Sequence, residues 1–228
     1  MITRTTASGT FYSHNKKEQS IPIVFIHGVG LTYEIWQPQL DFFKNYSTLS
    51  YDILGHGKSS LKKEKISFDD FSNQLVNLIN ELKINKIHLV GFSIGSLIAR
   101  NFATKFNDRL QSLILLGSIY KRSEEQQKIV NERFDQAKKE LKLSKQALKR
   151  WFTDKYLENN PETYEKISSI LASNNMAHFL KVYELFVKHK NEEDFKKIKA
   201  NTLVMTGELD VGSTVEMSQE LNKIINNS

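Results

Sequence analysis

The 228-residue chain has no cysteine and only three prolines. Without cysteine there is no disulfide, no thiolate metal ligand and no cysteine nucleophile. So few prolines, with ten glycines, exclude a collagen-like or low-complexity chain. Apolar runs are short: none reaches the roughly 20 residues that a membrane-spanning helix needs. The opening MITRTTASGTF lacks the apolar stretch of a secretory signal, so a cytoplasmic location with no membrane association is expected. What remains, 39% hydrophobic and 25% charged residues, is the balance of a folded domain with a substantial core.

Excess charge is also scarce. The formal net charge is +6, and most of it falls in residues 121–200, where 18 Lys/Arg face 13 Asp/Glu. There the bases alternate with acids, as in KKELKLSKQALKR beside SEEQQ and NEED. That pattern fits solvated helix faces, so no nucleic-acid partner is expected.

Glycine is missing from a long internal stretch, between Ser118 and Thr206. Tight turns and positive φ favour glycine, so a stretch without it reads as helices with simple connections. The expected organisation is a core over 1–118, a helical cap over 119–200 and a second core piece over 201–228. Within the cap, helices are expected at 123–142, 144–159, 161–174, 176–189 and 191–198. Pro161 suits a first helical turn. Met176, Phe179, Leu180, Tyr183 and Val187 form an apolar stripe at helical spacing.

Outside the cap, short continuous apolar runs end at glycines or turn residues: IPIVFI, IHLV, LILL and TLVMT. Such runs suit strands buried on both faces of a parallel sheet. Helical patterns separate them. One opens at Ser67 with Asp70 three residues on, a capping-box spacing, and carries an apolar face from Phe68 to Leu82. Alternating strands and helices predict an α/β fold, with ligands held beyond the carboxyl ends of the strands.

Three glycine motifs follow strands. His27-Gly28-Val29-Gly30 starts like a dinucleotide fingerprint, but Tyr33 stands at its third glycine position. Gly57-Lys58-Ser59 resembles the end of a phosphate-binding loop, but Asp52 occupies the position of its first glycine and brings the wrong charge. Gly91-Phe92-Ser93-Ile94-Gly95 lies between an apolar run and a helical pattern. This is the G-x-S-x-G elbow in its strand-turn-helix context, which holds a serine hydroxyl above the sheet beside free helix-terminal N–H groups.

With these motifs and TGELD at 206–210, the chain from about Phe11 onward resembles the α/β-hydrolase superfamily. The resemblance implies a mostly parallel sheet flanked by helices with a cap insertion. It implies Ser93 as nucleophile, Asp210 as acid, and the Val29 and Ile94 amides as oxyanion hole. Glu208 is a weaker candidate for the acid. His27, His56 and Asp52 match loop-shaping positions. A serine rather than an aspartate at the elbow argues against epoxide-hydrolase and haloalkane-dehalogenase chemistry. The expected activity is hydrolysis of a small ester, thioester or lactone through an acyl-enzyme. Carbon–carbon hydrolysis of a β-diketone-like substrate, or binding without catalysis, are the alternatives. No metal or organic cofactor is implied. Gly28, Phe92, Met176, Phe179 and Tyr183 either line an acyl pocket or simply pack.

The resemblance also places a histidine after the acid, beyond one more helix and strand. Here only 18 residues follow Asp210, and none of the six histidines matches that position. His27 is nearest to the elbow by sequence logic, and His178 approaches only if its helix leans inward. The expectation is a C-terminally truncated hydrolase lacking its last strand, helix and histidine. An apolar edge at TLVMT would then be open to self-association.

Overall fold

The computed structural model describes residues 1–140, 146–191 and 193–228. The core half contains β1 (Ile2–Thr5), β2 (Phe11–Asn15), β3 (Ile23–Ile26), α1 (Gln37–Phe42), β4 (Thr48–Tyr51), α2 (Phe68–Glu81), β5 (Ile87–Phe92), α3 (Ile94–Lys105) and β6 (Leu110–Leu116). The cap follows as α4 (Glu124–Glu140), α5 (Gln146–Trp151), α6 (Asp154–Asn159), α7 (Pro161–Ala172) and α8 (Met176–Val187). The chain then re-enters the sheet as β7 (Asn201–Met205) and leaves through α9 (Val215–Ile224).

The described strands form one sheet in the order β1-β2-β4-β3-β5-β6-β7. It is mostly parallel, as expected; only β2 runs against the rest. The register sets the position of the site. Ile26 faces Gly91, Phe92 faces Leu116, and Leu116 faces Met205. The strands therefore end level, and the loops after β3, β5, β6 and β7 emerge at one rim. Apolar residues from both sides of the sheet form the main core. Leu97, Ile98 and Phe102 of α3, and Phe71, Leu75 and Leu78 of α2, are fully buried in it. At the head of α2 the Asp70 carboxylate accepts the Ser67 N–H at 2.9 Å, the reciprocal cap that the spacing predicts.

The cap departs from expectation in two places. Residues 144–159 are not one helix. α5 ends at Trp151 and α6 starts afresh behind Thr153, whose hydroxyl accepts the Tyr156 N–H at 3.2 Å; positions 144 and 145 lie outside the described residues. Nor does 191–198 form an α-helix. Asn191 sits at φ +53°, which interrupts helical backbone, and only a 3₁₀ turn at Phe195–Lys197 follows, capped by Asp194. Glu192 lies outside the described residues.

Arg100 of α3 holds both ends of the cap. Its guanidinium is fully buried and donates to the Ile119 carbonyl at 2.7 Å, to Asn191 Oδ1 at 3.1 Å and to Glu193 Oε2 at 2.8 Å. The Phe195 ring lies 4.9 Å away as a cation–π partner. His189 Nε2 stands 3.3 Å from Glu193 Oε1. Burial alone would raise the Glu193 carboxyl, but the His189 hydrogen bond and the Arg100 charge hold it down at about 2.

At the far edge, β7 pairs with β6 on one side. On the other, its Thr202 N–H donates to the Asn227 carbonyl at 2.8 Å. Leu203 and Met205 remain 53% and 48% exposed. Among the described residues no helix is long and apolar enough to cross a membrane.

Candidate active site

The elbow is built by close backbone approach. A Cβ on Gly91 would lie 2.2 Å from the Gly95 carbonyl oxygen, and one on Gly95 would lie 2.5 Å from that of Ile26. Only glycine fits at either position. Between them Ser93 takes φ +56°, ψ −119°, a conformation that non-glycine residues adopt only under constraint. Its N–H is held by the Leu116 carbonyl at 2.9 Å. Ser93 is half-buried and faces a cavity of about 260 Å³ at the strand ends. Ile94 is the first residue of α3, so its N–H has no carbonyl partner within the helix and lies in the positive field of that terminus. Val29, on the β3 loop, lines the same cavity.

Two motifs that mimic nucleotide-binding loops turn out to brace each other. Asp52 Oδ1 accepts the Tyr33 N–H and its Oδ2 the Lys58 N–H, each at 2.9 Å. A Cβ on Gly57 would meet that carboxylate at 2.1 Å, so the carboxylate occupies the space a phosphate would need. His27 Nε2 accepts the Ile53 N–H at 3.1 Å, while its Nδ1 faces the Gly28 carbonyl at 2.8 Å. His56 Nε2 accepts the Gly30 N–H at 2.8 Å, while its Nδ1 faces the Leu54 carbonyl at 3.3 Å. These partners require neutral rings protonated on Nδ1. Burial lowers the His27 pKa to about 4. Burial, with the neighbouring His27, lowers that of His56 to about 3. Both imidazoles are therefore committed to holding the loop that carries Val29.

Asp210 stands beyond β7 on the same cavity. Its Oδ1 accepts the Gly212 and Ser213 N–H groups at 2.8 and 2.9 Å, and Thr206 Oγ1 lies 3.4 Å from Oδ2. Ser213 in turn donates to the Gly117 carbonyl at 2.9 Å, which ties the acid-bearing turn to the β6 loop. Glu208 is exposed and is not part of the cavity wall.

The cavity thus brings together Ser93, Asp210 and Val29, with Gly28, Phe92, Phe179 and Tyr183 also in its wall. Met176 is a correction: it sits half-buried in the first turn of α8 and does not line the cavity. No histidine lines it among the described residues, which include all six. His88 lies beside Ser112 at 2.8 Å, His189 belongs to the Arg100 cluster, and His178 packs near Gly55. Neither His27 nor His178 reaches Ser93.

Three wall residues were not apparent from the sequence: Arg122, Arg133 and Arg150. They read as part of the solvated cap charge. One signal was available on α4 and its approach, where Arg122, Gln126, Ile129, Val130 and Arg133 recur at helical spacing and all line the cavity.

A level sheet rim, a glycine-flanked serine elbow and a helical cap over the cavity define a hydrolase architecture of the α/β class. The chain belongs to the alpha/beta hydrolase fold family, whose match spans residues 21–228. It is 30% identical to an (E)-2-((N-methylformamido)methylene)succinate hydrolase of Acinetobacter baylyi, over 88% of this chain and 76% of that protein. It is 26% identical to 3-oxoadipate enol-lactonase 2 of the same organism, over 87% and 75%. The crystal structure of the enol-lactonase from Burkholderia xenovorans LB400 superposes with a TM-score of 0.89 at 22% identity, covering 99% of this chain and 88% of that one. A thermophilic esterase from Thermogutta terrifontis gives 0.80 at 22%, covering 100% and 87%. Family and relatives alike make this chain a hydrolase-class enzyme.

Proposed function

We propose that the site hydrolyses a small carboxylic ester, thioester or lactone through an acyl-enzyme on Ser93. The observation that carries this reading is the Ser93 backbone. A strained serine, locked by two irreplaceable glycines, stands at the head of α3 and at the mouth of the cavity. In the proposed reaction Ser93 Oγ attacks the carbonyl carbon and its proton passes to a base. The Ile94 and Val29 amides hold the oxyanion, the alcohol or thiol leaves with a proton, and water releases the acid. Asp210 would orient the base, a histidine, which these 228 residues do not bring to the site. The lactonase named among the relatives supports a lactone as one form of the substrate. The exposed Leu203 and Met205 side chains of β7 support self-association of these 228 residues through that edge.

The test uses a fluorophosphonate label and a short p-nitrophenyl ester, with free imidazole standing in for the base. One adduct on Ser93, and imidazole-dependent turnover that disappears in Ser93→Ala, are expected. Equal turnover in Ser93→Ala overturns the reading. No adduct and no turnover at any imidazole concentration likewise overturn it.

A further inference from the structure

The cavity wall carries more positive charge than a neutral acyl substrate needs. Arg122 comes from the segment after β6, Arg133 from α4 and Arg150 from α5, yet all three line the same space as Ser93. Asp210 is the sole carboxylate among the described wall residues, and the Gly212 and Ser213 amides already occupy its Oδ1.

The three arginines are not equivalent. Arg122 is anchored: it donates to the Phe186 and Val187 carbonyls at 3.3 and 3.1 Å and stacks 4.7 Å from the Phe186 ring. Those carbonyls end α8, where a cation is favoured. Arg133 and Arg150 make no hydrogen bond or ion pair among the described residues. They also oppose each other: desolvation, and then the charge of Arg133, hold the Arg150 guanidinium below its ordinary value. Two repelling forks beside an anchored third cation form an arrangement that an anion would relieve.

We propose that Arg133 and Arg150 bind a free carboxylate on the substrate, the group at the far end from the carbonyl that Ser93 attacks. The planar guanidinium matches a carboxylate in bidentate fashion. Ile129, Phe179 and Phe186 in the wall suit a short methylene spacer. At about 260 Å³ the cavity lies just below the roughly 300–1,000 Å³ of ordinary ligand pockets, so the substrate is small. Its class is a short dicarboxylic acid with one end esterified, thioesterified or closed as a lactone. This inference rests on the acyl-hydrolase reading for the identity of the other end.

Calorimetric titration tests it without needing turnover. The probes are monomethyl glutarate, dimethyl glutarate and inorganic phosphate. Monomethyl glutarate should bind at least tenfold more tightly than the other two, and more weakly as salt rises. Arg133→Gln/Arg150→Gln should abolish the preference. Arg150→Gln alone, at an exposed position, should cost at least threefold and guards against a folding defect in the double variant. Arg133→Lys/Arg150→Lys, which keeps charge without the fork, should fall between. Dimethyl glutarate or phosphate binding as tightly as the half-ester overturns the proposal, as does an unchanged preference in the double variant. Ser93 labelling is read in parallel. With free imidazole present, a labelled Ser93 without carboxylate preference sinks this inference alone, and arginine-dependent binding with Ser93 still unlabelled sinks the hydrolase reading alone.

Discussion

Mild acid should destabilise this protein through two imidazoles. His27 and His56 are fully buried and neutral, their pKa lowered from 6.5 to about 4 and to about 3. In the unfolded chain both return to about 6.5. Below that value the unfolded state takes up two protons that the folded state refuses. Their contribution is therefore intact above about pH 6.5 and is lost as pH falls toward the folded values. Each proton is worth about 1.4 kcal/mol per pH unit, so the pair gives a limiting slope of roughly 2.7 kcal/mol per unit. Integrated from about pH 6.5 to about pH 5, the loss is roughly 3 kcal/mol, a large share of a typical 5–15 kcal/mol. His14 and His88, also lowered by burial, act in the same direction. Glu193, held at about 2, acts only below the ordinary glutamate value and does not contaminate this window. The assay is urea unfolding across this range, followed by fluorescence of the buried Trp36. His56→Asn should cut the slope by about half, whatever its effect on absolute stability. A midpoint that stays put between about pH 6.5 and about pH 5, or rises, refutes the neutral-histidine reasoning.

Other consequences follow from single contacts. Gly95→Ala should lower stability by more than about 2 kcal/mol, since its Cβ meets the Ile26 and His27 carbonyl oxygens at 2.5 and 2.7 Å. Gly207→Ala, with nothing within 4 Å, should leave the melting temperature where it was. Arg100→Met leaves Glu193 without its buried guanidinium and should cost about 3–5 kcal/mol in chemical denaturation, whereas Arg100→Met/Glu193→Leu should cost less than the single change. Sedimentation of the 228-residue chain should show concentration-dependent dimers that Leu203→Lys disperses; a monomer at every concentration would count against pairing at β7.

What the sequence discloses depends on how local each signal is. β3, β5, β6 and β7 are legible because continuous apolar runs end at turn residues. β1, β2 and β4 are not: ITRT, FYSHN and TLSY are short and half polar, and only pairing makes them strands. The elbow is legible because its glycines and serine are contiguous. The arginine wall is not, because Arg122, Arg133 and Arg150 meet only after three separate segments fold over the rim. Arg100 is hidden for the same reason. Within α3 it looks like one more helical cation, yet its partners lie 18 to 93 residues away. The break after Trp151 rests on a single threonine cap, too weak a mark to read beside a helical pattern on both sides.

α3 links the elbow to the cap. Holding a non-glycine residue in the Ser93 conformation costs about 1–3 kcal/mol and persists only where the surroundings over-determine it. Two of the restraints are backbone, the Leu116 carbonyl on the Ser93 N–H and the close passage of Gly95 over β3. A third is the helix itself, whose residues from Ile94 to Arg100 are all buried. Arg100 lies two turns below Ser93 and binds Ile119 at the start of the cap and Asn191 and Glu193 at its end. Breaking that buried pair costs more than the elbow stores, about 3–5 against about 1–3 kcal/mol. The cap ends are therefore held more firmly than the serine is strained. The wall that carries Arg133 and Arg150 keeps its place relative to Ser93 because both are referred to the same helix.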